Sequence, residues 1–327
     1  MRALLLFWAA VLALAAAGAV TLQALGPVPH PAPAAAAIVP RVRTPAKAAE
    51  WDGRIADPDP ALLEPGHGTP PGMLPRIAAD GRMSRRVYAR PAPPGDGRPR
   101  IALVLAGFGA AEADSRAAVA LPGPVTLAVS AYGRSQEALL AAARAAGHEL
   151  LASVPMEPER FPLDDAGRMS LLTGASLEAN QAMLETVMAR IQGYVGLTGA
   201  SDGLRGERFA AQGGGLPQVL ADAARRGLLY LDPRPPGPGV AAMPAGTYGA
   251  VVDVVIDAGD PPARAEIEGR LVALERLARE RGAAIGLAGR LRPVTLERIA
   301  AWAQDAEARG FLLVPISAVS SEKADVP

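Results

Sequence analysis

From Arg100 to Val319 the chain alternates short, mostly apolar runs with stretches of helical period, and this alternation restricts the fold more than any other feature. The runs are Ile101–Leu105, Val125–Val129, Glu149–Val154, Tyr194–Leu197, Leu228–Asp232, Val251–Ile256, Ala284–Leu287 and Phe311–Val314. They lack the in–out alternation of a half-exposed strand, as strands covered on both faces do. Between them the spacing predicts helices, with Ser176 as an N-cap, Gly147 and Gly227 as C-terminal stops, and Ile267, Leu271, Leu274 and Leu277 on one face of the longest. Seven or eight strands separated by helices argue for a parallel sheet. The fold class is read as α/β, a distorted or incomplete (β/α) barrel of about seven strands, in preference to a doubly wound sheet.

The N-terminus has a different character. Met1-Arg2 is followed by an uncharged apolar run from Ala3 to Val20. Such a run is near the minimum length that spans a bilayer, and its positive end stays cytoplasmic. Residues 1–25 are read as a signal anchor, with a cleaved signal peptide as the rival, since Ala15 to Ala19 supplies small residues for cleavage. Either reading sends the rest of the chain out of the cytoplasm, to a single-pass inner-membrane protein with a periplasmic domain or to a secreted periplasmic one. Residues 26–99 contain 16 of the 32 prolines and no sustained apolar period. They are read as a Pro/Ala-rich disordered linker, within which Leu74–Pro91 is a candidate to dock on the domain. The domain is assigned to residues 100–320 and a tail to 321–327.

Composition removes several kinds of chemistry. Lys+Arg and Asp+Glu balance at 33 each, so no basic footprint for nucleic acid is present. Without cysteine there is no disulfide, thiolate metal site or cysteine nucleophile. The three histidines are His30 and His67, both in the expected linker, and His148, which opens a strand at the end opposite the usual site. Gly107-Phe108-Gly109 lacks the third glycine and the ribose-binding acid of a dinucleotide site. Gly199-Ala200-Ser201-Asp202-Gly203 has the spacing of a nucleophile elbow, but no histidine follows it to serve Ser201 as a base.

In parallel α/β folds sites gather at the carboxyl ends of strands. Asp232 and Asp257 end strands there and are the catalytic candidates. Glu157, Asp202 and Arg234 are substrate-binding candidates, Asp253 is a packed or paired residue, and Arg160, Arg168, Arg205 and Arg208 lie in the same loops. The carboxylates suit either a hard cation or the hydroxyls of a sugar.

One set of segments is more specific. Gly147-His148-Glu149, a short apolar strand and Pro155-Met156-Glu157-Pro158 resemble the divergent polysaccharide deacetylase family, which belongs with carbohydrate deacetylases of distorted β/α-barrel fold. Leu121-Pro122-Gly123-Pro124, Gly193-Tyr194-Val195-Gly196, Leu228–Asp232 and Val314-Pro315-Ile316-Ser317 match in order and spacing. The resemblance implies paired aspartates after the first strand, a histidine before the Pro-Met turn, a histidine loop after Val-Gly and histidines after the Ile-Gly strand. Here those positions read Ala106-Gly107, Ser153, Thr198–Gly203 and Leu287-Ala288-Gly289. A catalytic zinc site of this type needs about two imidazoles and a carboxylate, so neither a metal nor another cofactor is expected. The expectation is a catalytically degenerate glycan-binding domain of the cell envelope. The alternatives are an active hydrolase with a carboxylate-held cation at Glu157, Asp232 and Asp257, or a scaffold for an envelope protein partner.

Overall fold

The computed structural model describes residues 51–67, 72–93, 95–134, 136–211, 215–237, 240 and 243–322. The apolar run of residues 3–20 and His30 lie outside them. Among the described residues no helix is long and apolar enough to cross a membrane.

A two-stranded hairpin comes first, β1 (Leu63–Pro65) and β2 (Met73–Pro75), then the short helix α1 (Ser84–Val87). The alternating part runs β3 (Arg100–Phe108), α2 (Glu112–Val119), β4 (Thr126–Val129), α3 (Glu137–Ala145), β5 (Leu150–Ser153) and α4 (Leu177–Met188). It continues through β6 (Gly196–Thr198), α5 (Glu207–Ala211), α6 (Gly215–Arg225), β7 (Leu229–Asp232), β8 (Tyr248–Val251) and β9 (Val254–Val255). Last come α7 (Arg264–Arg281), β10 (Ala283–Ala288), α8 (Pro293–Ala306), β11 (Leu312–Leu313) and β12 (Ser321–Glu322). Local signals act as the sequence suggests: the Ser176 side chain accepts from Ala179 N, Pro293 sits in the first turn of α8, and Gly282 closes α7 at φ +80°.

The strands form one curled sheet in the order β12-β8-β7-β6-β5-β4-β3-β10-β9, with β11 on β3. All pairs are parallel except β12 with β8, so two residues of the expected tail extend the sheet. The two ends of this order are consecutive pieces of one segment. Residues 248–251 pair with β7, Val252 N donates to Asp232 O, and then Asp253 N and Ile256 N donate to Ile285 O and Leu287 O of β10. Asp253 secures the crossing by accepting from Ile285 N at 2.8 Å and Arg281 Nη1 at 3.0 Å. A strand that changes partners halfway curls the sheet into a distorted barrel of seven parallel staves.

Alternation along β3 divides the core in two. Ile101, Leu103 and Leu105 face the helices, while Ala102, Val104 and Ala106 face inward with Leu151, Leu229, Leu231, Ile285 and Leu287. The inward set is apolar and mixes small residues on β3 with larger ones on its neighbours, so that side chains fill a narrow barrel.

The inner core also corrects the domain boundary. Ile55, Leu62, Ala78 and Tyr88 belong to it and are buried, although they lie in the stretch expected to be a linker. From Trp51 on that stretch is part of the domain, and docking is not limited to Leu74–Pro91. It closes the end of the barrel where the strands begin. At this end Glu149, fully buried, accepts from Arg90 N at 2.8 Å, Ser317 N at 3.1 Å and the Ser317 hydroxyl. One carboxyl thereby ties β5 to the segments before β3 and after β11. His148 is equally buried, its Nδ1 2.7 Å from Val125 O and its Nε2 3.2 Å from Val119 O, and burial holds its pKa below the usual value.

Two outcomes follow. Leu62→Ala should cost about 2–5 kcal/mol by urea denaturation, as for a fully buried leucine, whereas a true linker position would cost nothing. Burial raises the Glu149 carboxyl to about 7 from its usual 4.5, against the hydrogen bonds from Ser317 and Arg90. The folded state therefore binds the proton more tightly, and this group removes about 3 kcal/mol of stability as pH rises from about 4.5 to about 7. His148 acts with opposite sign, since its depressed pKa removes stability as pH falls below its unfolded value. In Glu149→Gln the loss between pH 5 and pH 7 should vanish, leaving stability that rises with pH through His148; urea midpoints across that range measure it, and an unchanged slope would contradict the assignment.

Candidate functional site

The positions at which the family resemblance implies metal ligands do come together at the carboxyl ends of the strands. Ala106 ends the inward face of β3, Ser153 pairs with Thr198 across β5 and β6, and Leu287, Ala288 and Gly289 end β10. Their chemistry is apolar. Ala106 and Leu287 are fully buried in the inner core, and the Ser153 hydroxyl is buried without a hydrogen-bond partner among the described residues.

The loop after β6 closes this end. Ala200 is buried in the inner core, Ser201 bridges to Leu204, and Gly203 N donates to Gly289 O at 2.9 Å. Two glycines permit the contact. Gly203 has φ +83°, and a Cβ on Gly289 would lie 3.0 Å from Gly203 Cα. Asp202 takes φ +46°, a region that aspartate tolerates better than most residues. The loop thus packs against the end of β10 and closes the mouth with apolar and backbone groups. Residues that supply methyl groups, backbone and one hydroxyl do not fit the zinc that the family implies. His148 lies at the opposite end of β5, and His67 is exposed beside Glu185 at 3.9 Å. Among the described residues no group of three or more His, Cys, Asp or Glu is arranged to hold a metal ion.

The candidate carboxylates separate into two kinds. Asp232 and Arg234 form a buried pair, with Nη2 to Oδ2 at 2.7 Å and Nε to Oδ1 at 2.9 Å, and Arg234 N also donates to Oδ1. This is an ion-paired corner after β7. Glu157 is buried, accepts from Thr173 N and Oγ1 at 2.7 Å each, and pairs with Arg208 at 2.9 Å. It fastens the long loop after β5 to α5. Both carboxylates are saturated by their own chain.

Asp257 instead stands at a cleft of about 320 Å³ on the rim of the closed mouth, formed by the loops after β5, β6, β9 and β10, and Asp202 touches it only through the lining residue Arg290. Asp257 lines it and accepts from Gly289 N at 2.6 Å and Arg290 N at 3.2 Å; burial raises its pKa against those two bonds. Asp202 meets Arg290 through its carbonyl, at 2.9 Å from Nε, and its carboxylate, at 3.3 Å. Arg160 and Arg205 also line the cleft, paired with Asp164 at 2.8 Å and Glu207 at 3.0 Å, whereas Arg168 is an exposed surface residue outside it.

The residues that sequence reasoning did not single out are Arg290, Arg292 and Asp260. Asp260 Oδ2 accepts from Arg290 Nη1 at 2.9 Å and its Oδ1 from Arg292 Nη2 at 2.7 Å, so two guanidinium groups share one carboxylate. The signal was Arg-x-Arg directly after the β10 strand and before the proline that starts α8.

The structure of the uncharacterized protein ATU2773 from Agrobacterium tumefaciens C58 is similar, with a TM-score of 0.68 and 33% identity over 76% of this chain and 99% of that one. The catalytic domain of peptidoglycan N-acetylglucosamine deacetylase from Eubacterium rectale ATCC 33656 gives a TM-score of 0.45 and 13% identity, covering 73% of this chain and 96% of that one. Among curated proteins no sequence matches. Residues 103–320 match the divergent polysaccharide deacetylase family, and by that match the chain belongs to it.

Proposed function

We propose that this protein is a catalytically degenerate member of its family, a domain that holds a glycan at the strand-end cleft without hydrolysing it, and that it works in the cell envelope. The observation that carries the reading is that the implied ligand positions are occupied by Ala106-Gly107, Ser153, Thr198–Gly203 and Leu287-Ala288-Gly289, none of them histidine, with Ala200 in the same inner cluster as Ala106 and Leu287. An amide is a poor electrophile, and a deacetylase of this type polarises it with a metal and activates a water on the same ion. Neither task has a group to perform it at the closed mouth. Glycan binding is supported by the cleft itself. Its guanidinium and carboxylate forks suit the paired hydroxyls of sugar rings, and its four arginines are paired with carboxylates. The envelope location is supported by Met1-Arg2 and the apolar run that follows.

The purified protein should release no acetate from N-acetylated oligosaccharides, and elemental analysis should find zinc far below one equivalent. Stoichiometric zinc together with acetate release would overturn the reading. Asp232→Ala should leave Arg234 buried without its partner and cost roughly 3–5 kcal/mol of stability, while oligosaccharide affinity at a temperature where the variant is folded stays unchanged. Loss of binding with full stability would instead place Asp232 in the site.

A further inference from the structure

We infer that the cleft recognises a carboxylate-bearing saccharide, and that Asp260 occupies, in the ligand-free protein, the place of that saccharide's carboxylate; this rests on the glycan-binding reading above. The arrangement at Arg290 and Arg292 is the argument. Two guanidinium groups converge on one carboxylate, which carries only half the charge needed to balance them. The other carboxylates nearby do not make up the difference well. Asp202 reaches Arg290 alone, with its side chain 82% exposed, and Asp257 is occupied by the amides of Gly289 and Arg290.

Arg290 and Arg292 are about one-third exposed and form walls of the cleft, whereas Asp260 is 64% exposed. Exposed ion pairs contribute little, so an incoming carboxylate can take the place of Asp260. Donors remain for it. Arg290 Nη2 and the Nε and Nη1 of Arg292 make no hydrogen bond to the described residues. Arg290 is held ready on one side by its Nε bond to Asp202 O at 2.9 Å, and its backbone is fixed by Asp257. Fork-shaped donors on a fixed backbone are how proteins select a planar carboxylate.

The remaining wall favours a sugar over an acidic peptide. The cleft also presents Glu159, Arg160, Arg205 and Glu207, which offer both signs of charge to hydroxyl groups, and its apolar lining, Pro158, Leu204, Val255 and Ala258, is outnumbered by charged side chains. Side chains of a peptide would find no apolar pocket there.

The test uses the full chain and calorimetric titration with three probes, tetragalacturonate, neutral chitotetraose and a tetraglutamate peptide. Tetragalacturonate should bind best, with affinity that falls as salt rises. Arg292→Gln should weaken it about tenfold or more, and Arg290→Gln at least as much. Arg292 makes no bond to the mouth loop, so its variant separates ligand contact from loop disorder; thermal melts of both variants confirm folding. Asp260→Asn should strengthen binding several-fold by removing the internal competitor. Equal or tighter binding of chitotetraose would overturn the carboxylate assignment and leave the glycan reading intact. Tetraglutamate binding as well as tetragalacturonate, or weaker binding in Asp260→Asn, would overturn the proposal, and failure of every saccharide to bind would remove the glycan reading with it.

Discussion

Every feature of this domain depends on the segment 248–256, which leaves β7 for β10 halfway along its length. A parallel sheet with both faces covered has no use for an exposed edge, and this crossing lets the first and last staves share one strand. It also fixes the volume inside. Seven staves leave room for side chains and little else, so Ala102, Ala106, Ala128 and Ala250 are interspersed with larger aliphatics such as Leu151, Leu229, Leu231, Ile285 and Leu287. Whatever fills the upper layer of that interior decides which chemistry is available. In this chain the filling is alanine, leucine and a loop, and the polar groups that remain are displaced to the rim.

The two ends of the barrel divide labour in the way α/β barrels commonly do. The end where strands begin carries stability. There His148 and Glu149 are buried side by side, and Glu149 joins segments far apart in sequence through the Arg90 amide and Ser317. The Gly-His-Glu signature that gives the chain its family resemblance therefore marks a structural clamp. At the opposite end the saturated pairs Asp232–Arg234 and Glu157–Arg208 hold the loops in place, and of the sequence-derived carboxylates Asp257 lines the cleft, with Asp202 beside it on Arg290.

Much of this was legible in the residues, for physical reasons that differ from element to element. The strands were visible because burial on both faces removes polar alternation, and the scarcity of imidazole was visible as a plain count, His30, His67 and His148. The folded stretch from Trp51 to Tyr88 was hidden. It contributes single anchors, Ile55, Leu62 and Tyr88, separated by prolines and charged residues, so no period betrays it. Strand-end position was a fair guide to where carboxylates sit but not to what they do. That depends on whether a guanidinium two residues away, or on a neighbouring helix, already claims them. Arg290 and Arg292 were hidden for a related reason. Nearly every cation in the chain is arginine, so an Arg-x-Arg pair does not stand out until the fold sets it on a strand end.

The shared carboxylate at Asp260 gives the cleft a different logic from that of a metal site. A metal centre selects by coordination and acts by polarising a bond. A pair of guanidinium groups with an internal carboxylate selects by competition. A neutral sugar that displaced Asp260 would leave Arg292 unmatched and Arg290 with the exposed Asp202 alone, whereas a carboxylated one restores the same pairing and adds contacts to its ring hydroxyls. Affinity is reduced for every ligand by the need to displace Asp260, but it is reduced most for those that cannot replace it. Discrimination of this kind rests on unmatched charge in the competitor complex rather than on stronger contacts to the preferred one. Specificity of this kind needs no reaction to follow, because the forks stand just beyond the β10 end and the Arg290 backbone is held by Asp257.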